Sequence, residues 1–202
     1  MKILALLGGS GSGKSTILNG LREHFSARAA VLTLDNYHRP KSELPVDENG
    51  ETNFDLPEVI NDADLVRDID QLRAGKPIQL DTYTYNRDVM QSEQITIAPA
   101  EWLVVEGLFA MAYTAMEERI DLLGYIDAPV EIRLQRRIAR DGSERGYTED
   151  EVRYQWQNHV RPADIAHIEP WKDRADVVVD NTHHWQDGLQ ALIAQMEEAY
   201  TN

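Results

Sequence analysis

The chain has 202 residues, enough to bury an ordinary α/β core, and carries a formal charge of −15. That charge excludes nonspecific binding to nucleic acid or to an anionic membrane surface, since both need a basic face. There is no cysteine, hence no disulfide, thiolate metal site or thiol nucleophile, and no apolar run approaches the roughly 18 residues of a membrane span.

Residues 2–7 are short, apolar and closed by glycines, the pattern of a fully buried strand. The run is too short for a signal peptide, so a cytoplasmic protein is expected. Directly after it stands Gly8-Gly9-Ser10-Gly11-Ser12-Gly13-Lys14-Ser15, with Thr16 next. This is the P-loop pattern. Glycines let backbone N–H groups close around phosphate oxygens, Lys14 reaches the β- and γ-phosphates, and Ser15 offers a hydroxyl to Mg²⁺. Residues 14–25 follow as a helix whose N-terminus adds partial positive charge. The motif alone does not separate a kinase from a GTPase, a motor or a transporter ATPase.

Residues 31–34 form a second short strand, ended by Asp35. The polar stretch 36–54, with Pro40, Pro45 and Asn49-Gly50, predicts a functional loop or flap. Residues 56–74 read as a helix with Pro57 near its start. Residues 78–80 and 94–97 pair as a small antiparallel excursion. Residues 102–105 are another buried strand, ended by Glu106-Gly107. A strand at 124–127, a helix over 130–141, a helix over 149–160, a strand at 177–179 and an amphipathic helix over 185–200 complete the chain. Apolar strands alternating with helices predict a three-layer α/β fold with a central parallel sheet covered on both faces.

Ligands of parallel sheets gather at the carboxyl ends of the strands. Asp35 and Glu106 both sit there, beside the P-loop. Phosphoryl transfer needs one carboxylate to take the attacking hydroxyl's proton and another to help hold Mg²⁺, and the residues permit either assignment. On the helix over 130–141, Arg133, Arg136, Arg137 and Arg140 recur at i, i+3, i+4 and i+7, opposite Val130, Leu134 and Ile138. Arg145 follows one turn later. Such a stripe predicts a phosphate lid in an acidic protein, against the alternative of a solvated face with pairs such as Arg137–Asp141.

With these pieces placed, the chain resembles the uridine kinase branch of the uridine kinase/phosphoribulokinase family. The resemblance rests on the P-loop, Asp35-Asn36-Tyr37, Asn53-Phe54-Asp55-Leu56-Pro57, Gly75-Lys76-Pro77 and Glu106-Gly107-Leu108. It continues through Arg136-Arg137-Ile138-Ala139-Arg140-Asp141, Glu144-Arg145-Gly146, Gln155, Val160-Arg161-Pro162, Ile168-Glu169-Pro170 and Ala175-Asp176-Val177-Val178.

The resemblance implies a P-loop kinase domain over residues 1–202, with a lid at about residues 136–150, that phosphorylates a nucleoside 5′-hydroxyl with ATP and Mg²⁺ in pyrimidine salvage. Asp35 would be the general base, and Lys14, Ser15 and Glu106 would serve phosphate and metal. Asp55 would hold ribose hydroxyls, and Gln155 would touch the acceptor. Arg137, Arg140 and Arg145 would bridge acceptor and triphosphate. Members of the branch are often oligomeric.

The chain departs from that pattern where uridine kinases carry Tyr-Asp-Phe and then a His and an Arg around the base. Here the stretch is Tyr83-Thr84-Tyr85-Asn86-Arg87, and His38 stands where relatives often have Tyr. With Phe54, these residues are the candidate base-facing set. The departure keeps other acceptors open: nicotinamide riboside, a sugar phosphate or pantothenate. So does a class without small-molecule transfer, an ATP-binding regulatory protein, although no Asn-Lys-x-Asp guanine signature is present.

Overall fold

The computed structural model describes residues 1–83 and 93–201. Its centre is a parallel five-stranded sheet made of β1 (Lys2–Leu7), β2 (Ala29–Thr33), β5 (Trp102–Glu106), β6 (Leu122–Asp127) and β7 (Val177–Asp180), in the order β2-β5-β1-β6-β7. A separate antiparallel pair, β3 (Ile78–Asp81) and β4 (Gln94–Ile97), joins Ile78 to Ile97 and Asp81 to Gln94. This is the excursion expected from the sequence.

β1 lies between β5 and β6, and every residue from Ile3 to Leu7 is fully buried. Its alternate side chains feed opposite layers. Ile3, Ala5 and Leu7 join Leu32, Leu103, Val105 and Tyr125 against α2 (Asp62–Arg73), through Leu65, Ile69 and Leu72. Leu4 and Leu6 join Trp102, Val104 and Ile126 on the other face, against α1 (Lys14–Phe25) and α7 (Trp185–Thr201). Each fully buried aliphatic side chain contributes about 1.5–3 kcal/mol. The two layers make the sheet rigid, and its carboxyl edge is the platform for the site.

Several boundaries differ from the sequence reading for local reasons. β2 begins at Ala29, and Leu34 leaves the strand for a 3-10 turn, Leu34–Tyr37, that carries Asp35. The helix expected from residue 56 starts at Asp62: Pro57 opens only a 3-10 turn, Pro57–Val59, while the Asn61 side chain caps the helix proper by accepting from Asp64 N. After the short α3 (Thr114–Glu117), α4 runs past residue 141 to cover Val130–Glu144. α5 (Glu149–Gln155), held by a Thr148–Glu151 capping box, does not stop at Val160. It passes through a π turn, Trp156–Val160, a short α6 (Arg161–Ala163) and a second π turn, Asp164–Ile168. Single π turns inside helices are frequent at functional sites.

Candidate active site

The P-loop joins β1 to α1. Gly11 and Gly13 take left-handed backbone conformations, φ +76° and +93°, which L side chains rarely adopt. Lys14 folds back so that Nζ donates to Gly8 O at 2.8 Å and stands 4.0 Å from Glu106 Oε1. Burial pushes the Lys14 ammonium below its ordinary pKa, while Glu106 and then Asp35 pull it back up. Burial likewise raises Glu106, opposed by Lys14. Both groups are held in a desolvated corner where an added phosphate charge interacts strongly. Ser12 Oγ is buried within the P-loop with no hydrogen-bond partner among the described residues. Ser15 and Thr16 lie exposed on the first turn of α1.

Strand register explains the two acids. Glu106 pairs with Thr33 on one side and Leu6 on the other, so it ends its strand between the P-loop and the turn bearing Asp35. Asp35, Glu106 and Lys14 line one cleft. Among the described residues there is no group of three or more His, Asp or Glu that could hold a metal by itself. A few hard oxygen donors beside a phosphate cradle nevertheless fit Mg²⁺, which is ordinarily held by one or two carboxylates together with substrate phosphates and water. Ser15, Glu106 and Asp35 are the residues available for it.

The same cleft collects residues far apart in the chain: His38, Phe54, Asp55, Tyr83, Arg137, Arg140, Arg145 and Gln155. Asp55 is buried, its backbone N–H accepted by Asn53 Oδ1 at 2.9 Å, and it stands 3.7 Å from Arg137. This Asx turn gives Asn53 a physical role. Arg137 also donates to Ser10 Oγ and Gln155 Oε1, each at 3.1 Å, and so joins the P-loop to the opposite wall. His38 stacks on Tyr83 with ring centroids 4.7 Å apart, and Tyr83 N donates to Asn36 Oδ1 at 2.9 Å. Burial, then the Asp35 charge, raises the Tyr83 phenol. Tyr85 and Arg87 lie outside the described residues.

The arginine stripe requires correction. Its members do not form one phosphate-facing row. The buried face of α4 carries Arg133, Arg137 and Asp141, whereas Val130, Leu134 and Ile138 are only half-buried. Arg133 and Arg136 turn to the P-loop backbone, and Arg137, Arg140 and Arg145 line the cleft. Those three converge on Asp141, which is fully buried: Arg137 Nε at 3.1 Å, Arg140 Nε at 2.8 Å and Arg145 Nη1 at 3.3 Å. The Arg137–Asp141 pair weighed as an alternative therefore exists, inside the site rather than on a solvated face. Of the three, only Arg140 hydrogen-bonds to the Asp141 carboxylate; Arg137 and Arg145 meet it as ion pairs, so one buried negative charge gathers the three guanidinium groups.

Sequence reasoning missed further residues. Tyr147 and His159 line the cleft without any motif to signal them. His159 Nε2 lies 2.8 Å from Asp47 Oδ2, and Tyr154 donates to the same oxygen at 2.6 Å. Asp47 belongs to the predicted flap, where Val46 bridges Thr52. The flap is thus clasped to the π turn after α5. Hydrogen bonds from Tyr154, His159 and the backbone of Glu51 and Asn49 hold the Asp47 carboxyl well below its usual range.

A model of the phosphoribulokinase/uridine kinase family matches residues 3–186. The uridine kinase of Staphylococcus epidermidis is 35% identical over 178 residues, covering 88% of this chain and 86% of that protein. The uridine kinase of Deinococcus deserti is 32% identical over 195 residues, covering 96% and 94%. The structure of a possible uridine kinase from Bacillus stearothermophilus superposes with a TM-score of 0.62 at 21% identity, covering 89% of this chain and 88% of that one, and shares the fold. The chain belongs to the phosphoribulokinase/uridine kinase family and is a phosphotransferase with a hydroxyl acceptor.

Proposed function

We propose that this kinase uses Mg²⁺ and ATP to phosphorylate the 5′-hydroxyl of a pyrimidine nucleoside. The observation that carries the reading is the meeting of Lys14, Asp35, Glu106, Asp55, Arg137 and Gln155 around one cleft beside the P-loop. The P-loop and Lys14 hold the β- and γ-phosphates. Ser15 and Glu106 would hold the metal ion, which would supply positive charge beside the transferring group. Asp35, at the mouth of β2, takes the proton of the attacking hydroxyl as its oxygen bonds to the γ-phosphorus and the bond to the ADP oxygen breaks.

Asp55 and Gln155 hold acceptor hydroxyls, and Arg137 fixes both through the contacts described above. Arg140 and Arg145, aimed by Asp141, stabilise charge spread over the transferring phosphoryl group. The stacked His38 and Tyr83, with Phe54, face the base. The reading draws support from relatives named uridine kinase along most of the chain.

ADP release with uridine, cytidine, nicotinamide riboside, pantothenate and sugar phosphates as acceptors tests it. Uridine or cytidine is expected to give the highest kcat/KM. Turnover with another acceptor only would replace the nucleoside assignment.

A further inference from the structure

A cradle of backbone N–H groups serves a phosphate only if its peptide planes are held in place. In a trans peptide the C=O and the following N–H point in opposite directions. Fixing the Ser10 and Ser12 carbonyls on the outer side of the P-loop therefore aims the Gly11 and Gly13 N–H groups inward, while Ser12 N closes the turn on Gly9 O at 3.1 Å.

Three side chains hold that outer side. Arg133 Nε donates to Ser10 O at 3.0 Å. Arg136 Nη1 donates to Gly11 O at 3.4 Å and Ser12 O at 3.3 Å, and Asn181 Nδ2 donates to Ser12 O at 2.7 Å. Arg136 Nη2 also donates to Asn181 O at 2.9 Å, so these two brace each other. Arg133 is anchored by an ion pair with buried Asp164 and lies over the Trp156 ring, 5.4 Å from its centroid. The packing is close enough that a Cβ at Gly9 or Gly11 would run into Arg133, and one at Gly13 into Asn181. At Gly11 the obstacle is the Arg133 backbone carbonyl, so that glycine is demanded from behind the loop; at Gly9 and Gly13 it is the end of the Arg133 or Asn181 side chain.

We propose that Arg133, Arg136 and Asn181 form a rear strut that pre-organises the P-loop for the triphosphate. They are positioning residues acting through loop backbone, in contrast to Arg137, Arg140 and Arg145, which face the cleft. The inference rests on the reading of this loop as the triphosphate site.

Arg136 is the member to change: it is half-buried and hydrogen-bonds to backbone carbonyls, whereas removing Arg133 would take from buried Asp164 its nearest cation and leave only Arg161, at 3.4 Å. Calorimetric affinity for MgATP and for inorganic tripolyphosphate is measured on wild type, Arg136→Ala, Arg136→Gln and Arg28→Ala, a surface control paired with Glu101 and Glu197. Thermal melting and KM for both substrates are measured alongside.

Arg136→Ala is expected to weaken both ligands about tenfold. KM should rise for ATP and not for the acceptor, with the melting midpoint near wild type. Arg136→Gln keeps an N–H donor without the charge and should recover most of the loss; Arg28→Ala should change nothing. A glutamine variant as weak as alanine means direct charge contact with phosphate and overturns the strut. Unchanged affinity in Arg136→Ala also overturns it, as does a parallel loss of acceptor affinity and melting midpoint. Failure of the wild type to bind either ligand sinks the triphosphate site itself, and the strut with it.

Discussion

On the proposed reading, the donor wall of the cleft comes from one continuous stretch, residues 8–16, whereas the acceptor wall is assembled from the turn after β2, the flap, the residues just after β3, α4 and the end of α5. The donor wall works through backbone N–H groups and one lysine, and its sequence requirement is short and positional. The acceptor wall works through side chains whose positions depend on each other: Asp55 on Asn53, Arg137 on Asp141, and the flap on His159. A phosphate cradle is written as a motif and braced by distant Arg133, Arg136 and Asn181, whereas a pocket for a particular acceptor exists only after these segments meet.

Asp35→Asn is the sharpest way to separate the two walls. It should lower kcat by about 10²–10⁴-fold while leaving MgATP affinity within a factor of two or so, because only proton removal is lost. Equal loss of ATP binding would place Asp35 with the donor wall instead. Next in size, Asp55→Asn should raise the acceptor KM by roughly 10- to 100-fold with KM for ATP little changed, as one charged hydrogen-bonding partner is removed from a buried position. A larger effect on ATP than on acceptor would dissolve the division.

The smallest effect concerns the flap clasp. Asp47 is depressed in the folded state, so its stabilisation is fully present above the ordinary carboxylate pKa near 3.8 and is lost as pH falls through the lower folded value. Thermal melting of wild type and Asp47→Asn between pH 7 and pH 2 should show a modest gap at neutral pH that narrows steadily below about pH 4. A constant gap would mean that the ionised carboxylate is not what holds the flap.

Much of the donor side was legible in the sequence. The P-loop, the buried strands, the excursion and the strand-end acids Asp35 and Glu106 each follow from local pattern: apolar runs closed by glycine or acid, and periodicity of two or 3.6. The helix over 56–74 was misplaced because a proline signal at residue 57 competed with the Asn61 cap, and the cap begins the helix. The acceptor side was less legible. Asp55 was indicated only by family resemblance, and Asp141, Tyr147, His159 and the Asp47 clasp were not indicated as site residues at all, since nothing local distinguishes them from ordinary polar residues.

The arginine stripe shows where the boundary lies. Spacing alone determined that Arg133, Arg136, Arg137 and Arg140 recur along α4 at steps of three and four. It could not determine which way they turn, because helical periodicity defines a face but not the neighbour that face meets. Tertiary packing decided that by placing P-loop carbonyls and the buried acids Asp141 and Asp164 within reach. A buried guanidinium goes where acceptors wait for it; Asp141 waits on the same helix, but the P-loop carbonyls and Asp164 come from segments far away in the chain.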